Sequence, residues 1–215
     1  MPRTKTGARR AGLTAALVLA GVSVALTVGP VSAYDGNAAA TWADNQALNA
    51  NCQISPCFTN DCAGFVSQSL HFGGGYPYYG VGSDIHDYHY WWIKWVSYAG
   101  WSYSDSWGGV IPLYNFQMVH IPGGTDYGGV VPGLSHISSG RVKGDLFFYD
   151  WTNNGSLDHV TIMVGNGTDP NQPAWVGDLV DAHSQPHYHG YWTLAPYNSN
   201  ALVTRIQRVH IYATN

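Results

Sequence analysis

The stretch "GDLFFYDWTNNGSLDHVTIMVG", Gly144 to Gly165, decides the fold class. Gly144–Trp151 is rich in aromatic and branched residues and reads as a strand. Asp158–Gly165 alternates with a period of two: Val160, Ile162 and Val164 fall on one face, His159, Thr161 and Met163 on the other. Between them Thr152-Asn153-Asn154-Gly155-Ser156 supplies the residues a tight turn needs. The stretch therefore predicts an antiparallel hairpin whose second strand opens with a histidine.

More strands follow it. "GDLVDAHS", Gly177–Ser184, predicts a third strand on which Leu179, Asp181 and His183 share a face. "ALVTRIQRVHIYA", Ala201–Ala213, predicts a last strand or two. Helices precede it. Tyr34–Asn51 is alanine-rich, with Asp35 placed to cap its start. After a loop at Cys52–Phe58, a second helix is expected from Thr59-Asn60-Asp61, with Phe65, Val66 and Leu70 as its apolar positions and Gly73-Gly74-Gly75 as its end. Residues 76–140, crowded with Tyr, Trp, Gly and Ser, read as an irregular but folded insertion. Helices first and an antiparallel sheet after is an α+β pattern.

The first 33 residues stand apart. Arg3, Lys5, Arg9 and Arg10 precede an apolar run from Ala11 to about Val28, and Val31-Ser32-Ala33 ends it with small residues. This is the layout of a secretory signal peptide cleaved after Ala33, leaving one domain over 34–215. The whole chain carries a formal charge of −4, and four of its nine Lys and Arg lie in that leader. The remaining domain is more acidic still, with only Lys94, Arg141, Lys143, Arg205 and Arg208 as fixed cations. Such a surface argues against nucleic acid and against anionic membranes as partners once the leader is gone.

There are three cysteines. Cys52 and Cys57 flank Ser55-Pro56, which can turn the chain, and can form a small disulfide loop; pairing Cys57 with Cys62 is the alternative. Cys62 opens the second helix, where amide N–H groups and the helix dipole favour a thiolate. It reads as a nucleophile, against the alternative of a disulfide or an inert buried thiol. A thiol nucleophile needs a base and the base an orienting group. His159 is the candidate base; Asp181 or His183, on the next strand, is the candidate third member. His183, His187 and His189 have a spacing that could ligate a metal, but the chain has no glutamate and no H-E-x-x-H helix, so no metal or other cofactor is expected. Trp91, Trp92, Trp95, Trp101 and Trp107 are candidates either for a sugar-peptide groove or for the core.

Three blocks, "DCAGFVSQSL", "KGDLFFYDW…DHVTIMVG" and "LVDAHS", resemble the signature of the NlpC-type, papain-like cell-wall cysteine peptidase superfamily. The start "YDGNAAATWA" and the "WSYSDSW" region resemble more closely its putative amidase domain branch. The resemblance implies a papain-like fold, with N-terminal helices carrying the nucleophile packed on an antiparallel sheet. It implies Cys62 as nucleophile, His159 as base and His183 as third member, with Asp181 as the substitute because "NGTDPNQPAW" intervenes. It implies hydrolysis of amide bonds in bacterial cell-wall peptide. Ala63-Gly64 departs from the branch's polar residues and is expected to bear on substrate fit. Acyl transfer by the same site, or a non-catalytic wall- or glycan-binding module with an aromatic surface, are the alternative readings.

Overall fold

The computed structural model describes residues 33–49, 52–120 and 141–212. Apart from Ala33, the expected signal peptide lies outside the described residues, as do residues 121–140 of the insertion. In chain order the helices are α1 (Gly36–Gln46), α2 (Cys62–Gln68), α3 (Asp105–Gly108) and α4 (Val110–His120). The strands are β1 (Ile93–Val96), β2 (Gly100–Tyr103), β3 (Leu146–Asp150), β4 (His159–Thr168), β5 (Val176–Ala182), β6 (His187–Tyr191) and β7 (Arg205–Val209). The fold is α+β: a five-stranded antiparallel sheet in the order β6-β5-β4-β3-β7, with helices against one face, and a separate β1-β2 hairpin. None of the helices among the described residues is long and apolar enough to cross a membrane.

The decisive stretch forms the predicted hairpin, with Tyr149 opposite His159 and Leu146 opposite Ile162. Both faces of the strand pair are buried. Leu146, Phe148, Val160, Ile162 and Val164 join α2 in one core; Phe147, Tyr149 and Met163 join Val180, Trp192 and Ile206 in a second core beyond the sheet. The sheet is thus buried between two apolar layers, and the face that carries His159 is as dry as the other.

Asp35 caps α1 as expected, accepting from the amides of Asn37 and Ala38 at 2.9 and 3.1 Å. The buried face of α1 is Ala39, Ala40 and Ala43, small enough for close approach. The Tyr34 hydroxyl donates to the Gly144 carbonyl at 3.0 Å and fastens the helix start to the entry of β3. Gly144 there has φ +88°, which disfavours any side chain. The helix is shorter than the sequence predicts, ending at Gln46, and Cys52 and Cys57 close a disulfide loop before α2.

The insertion holds elements that its composition concealed. The α4 helix is apolar on nearly every side and shows no one-sided periodicity, although Leu113 and Phe116 anchor it in the core. Trp91, Trp92 and Trp107 are buried, while Trp95 stays exposed. Trp91 and Trp107 pack 4.9 Å apart between centroids, and their indole N–H groups donate to Ser67 and Ser55. These three tryptophans serve the core and do not line a groove.

Ala63 and Gly64 are buried in α2. A Cβ on Gly64 would sit 2.5 Å from Asp61 Oδ1 and 2.7 Å from the Phe58 ring. The small size of Gly64 therefore serves packing of the helix start. Gly64→Ala is expected to destabilise the domain by about 1–3 kcal/mol through overpacking. A urea midpoint equal to that of the parent protein would contradict this close packing.

Candidate active site

Cys62 is the first residue of α2, and among the described residues it is the one free thiol. The start of α2 lies against the beginning of β4 at Val160 and against Ser184, just past the end of β5. The Cys62 side chain is almost fully buried. Burial pushes its pKa up; the Val160 amide, the Ser184 hydroxyl and the amides of Ala63 and Cys62 itself pull it back without cancelling the rise. The Cys62 N–H also donates to Ser184 Oγ at 3.2 Å.

His159 opens β4, one residue before the amide that faces the Cys62 sulfur. Its ring stacks on Trp151 at 5.4 Å and lies 5.7 Å from the Tyr149 ring. Burial, with a smaller contribution from the neighbouring His187, lowers its pKa to about 3. At neutral pH the ring is an uncharged base. Cys62 and His159 both line one cavity of about 460 Å³, whose polar wall includes Asn60, Ser184, Gln185, Asn198 and Asn200. Among the described residues no lysine or arginine lines it.

The two candidates for third member lie elsewhere. His183 Nδ1 is 2.8 Å from Asp61 Oδ2, and its Nε2 is 2.9 Å from the Gln46 carbonyl. Its ring stacks on Phe65 at 4.1 Å. Both nitrogens are engaged, so neither is available to His159. Asp181 accepts from the His189 amide at 2.7 Å and lies beside Asp44, which sits 2.7 Å from His189 Nε2. Burial and the Asp44 carboxylate raise the Asp181 pKa.

Strand register explains the separation. Ile162 pairs with Asp181 and Met163 with Val180. Asp181 and His183 therefore share the helix-side face with Ile162, while His159 points with Met163 to the other. The expectation that Leu179, Asp181 and His183 share a face holds. The expectation that one of the two polar residues holds the base finds no contact.

A family model for the putative amidase domain matches residues 33–206. This chain belongs to that family. It is also similar to the uncharacterized protein YhbB of Bacillus subtilis (strain 168), 28% identical over 151 residues, which cover 63% of this chain and 37% of that protein. The match thus spans little more than a third of that relative's length. No solved structure matches the chain.

Within this amidase domain, sequence reasoning missed three residues near Cys62. Asp61 precedes α2 but makes no side-chain cap; its carboxylate goes to His183 instead. Ser184 contacts the Cys62 amide and sulfur from a backbone with φ +76°, a region non-glycine residues rarely occupy. His187, considered only as a metal ligand, faces the cavity beside His159, with its ring 4.3 Å from that of Tyr197. Ser184 directly follows "DAH", a place the block pattern could have flagged.

The buried His159 gives a pH signature. The unfolded chain protonates this ring near its ordinary 6.5, the folded chain only near 3. Between these values the unfolded state binds more protons, so stability falls as pH drops from 6.5 towards 3. This residue contributes a slope of at most about 1.4 kcal/mol per pH unit. His159→Gln is expected to flatten the urea-unfolding profile over that range; an unchanged slope would contradict a buried neutral imidazole.

Proposed function

We propose that this domain is a cysteine hydrolase of amide bonds, with Cys62 as nucleophile and His159 as base. The observation that carries the reading is that the free Cys62 thiol and the His159 imidazole line the same polar cavity. Membership of an amidase family supports the bond type. The papain-like, NlpC-type assignment rests on the three sequence blocks and on the arrangement of a helix-start cysteine against an antiparallel sheet.

The shifts on both groups favour a resting pair of thiol and neutral imidazole. Charge separation is costly in this buried setting, so proton transfer is best coupled to attack. The Cys62 proton passes to His159 as sulfur bonds to the substrate carbonyl carbon. The carbonyl oxygen takes up negative charge. The Cys62 N–H, now held by Ser184 Oγ, serves as a donor to that oxygen once a bound carbonyl displaces the serine hydroxyl. His159 then protonates the leaving nitrogen as the C–N bond breaks. Water, deprotonated by His159, attacks the thioester, releases the acid and restores the thiol.

A wall of side-chain amides and hydroxyls suits a peptide backbone, which offers the same donors and acceptors. The leader-like residues 1–33 and the family resemblance direct the proposal to bacterial cell-wall peptide outside the cytoplasm. In this reading His183 is a positioning residue: it holds Asp61, and through it the backbone of Cys62. Incubation with purified peptidoglycan should release fragments that mass spectrometry assigns to cleavage of one amide bond. Cys62→Ala and His159→Ala should each lower that release by more than about a hundredfold with far-UV circular dichroism unchanged. Full release by Cys62→Ala would contradict the nucleophile.

A further inference from the structure

On the helix side of β5, two acidic residues and a histidine converge away from the Cys62 cavity. The ligand atoms of Asp44, Asp181 and His189 all lie within 4.8 Å of one another. They come from three elements: Asp44 from α1, Asp181 from β5 and His189 from β6. Asp181 is fully buried; its Oδ1 accepts from the His189 amide at 2.7 Å, while its buried Oδ2 has no donor, and the Asp44 carboxylate lies beside the same side chain. An unpartnered carboxylate oxygen away from water is costly, and a second carboxylate beside it raises the cost. A cation between them would relieve that cost.

We propose that Asp44, Asp181 and His189 bind a divalent transition-metal cation that clamps α1 to the β5-β6 edge. The donor set is two carboxylate oxygens and one imidazole nitrogen, which suits Zn²⁺ or Mn²⁺ better than Ca²⁺, a cation that takes six to eight oxygens. Around a tetrahedral ion with bonds of about 2.0–2.1 Å, ligand atoms lie about 3.3–3.4 Å apart. The His189 Nε2 and Asp44 Oδ1 atoms are 2.7 Å apart, so they need to open by well under 1 Å. Asp44 and His189 keep 30% and 29% of their side-chain surface, which leaves a route for the ion and room for water as a remaining ligand. His189 is held with φ +55° within β6, and its ring stacks on Tyr188 at 3.9 Å.

This is not the histidine triplet that the sequence suggests. His183 is committed to Asp61 and Gln46, and His187 faces the other cavity. The clamp would sit two residues from both Gln46 and His183, the pair that joins α1 to the start of α2.

The test uses the tag-free domain, stripped with a chelator and titrated calorimetrically with Zn²⁺, Mn²⁺ and Ca²⁺. One equivalent of Zn²⁺ or Mn²⁺ should bind, Ca²⁺ should bind more weakly, and Co²⁺ should give visible absorption bands from an ordered ligand field. Asp181→Asn and His189→Gln should each weaken binding by more than about tenfold, and both bands and heat should disappear in the double variant. Because Asp181 is buried, Asp44→Asn at the exposed edge provides a variant that keeps the fold. Two results would overturn the proposal: no saturable binding by the folded protein, which would leave a shared proton between the carboxylates, or binding unchanged in Asp44→Asn and His189→Gln.

Discussion

The contact between Asp61 and His183, 2.8 Å long and buried, is the one on which the site depends. Asp61 immediately precedes the nucleophile candidate. His183 leaves the end of β5, and its other nitrogen meets the carbonyl of Gln46 at the end of α1. One imidazole therefore joins the first helix, the second helix and the sheet at one point. Removing one partner of this contact leaves the other unsatisfied in a dry place, at a cost of about 1–3 kcal/mol. Gly64 lets Asp61 and Phe58 close over the helix start, and Phe65 stacks on the imidazole from below. The backbone of Cys62 is thus fixed by its neighbours before any substrate arrives.

That rigidity comes with a dry environment, which sets the chemistry. Burial raises the Cys62 thiol and lowers the His159 imidazole, so each group alone prefers its uncharged form. The donors around the sulfur work in the opposite direction. Val160, Ser184 and the helix-start amides already hydrogen-bond towards it and favour negative charge there. A pair at rest without charge, surrounded by donors for the charge that develops, is suited to a reaction in which proton transfer and nucleophilic attack occur together.

Much of the frame was legible in the sequence because it is local. Asp35 announces α1, and period-two alternation with an Asn-Asn-Gly-Ser turn announces β3 and β4. The spacing and turn residues make a Cys52–Cys57 loop feasible without excluding Cys57–Cys62, and the structure holds the first. What was not legible is what depends on register between strands. Alternation along β5 and one residue past it groups Asp181 with His183, but only the pairing of Ile162 with Asp181 reveals that this group faces away from His159. The β6 strand was hidden by its polar, histidine-rich composition at a sheet edge. The α4 helix was hidden because its apolar residues surround it instead of forming a stripe. That Cys62 opens a helix and His159 opens a strand was legible because both places are marked locally by cap and turn residues.

The central claim is that Cys62 becomes acylated during turnover. Intact-mass spectrometry of the protein, acid-quenched during reaction with a cell-wall peptide or an activated peptide ester, tests this most directly. The account predicts an adduct of the acyl mass, mapped by digestion to Cys62, absent from Cys62→Ala and reduced in His159→Ala. Continued turnover with no adduct on Cys62, at a quench time shorter than one catalytic cycle, together with retained activity in Cys62→Ala, would contradict it.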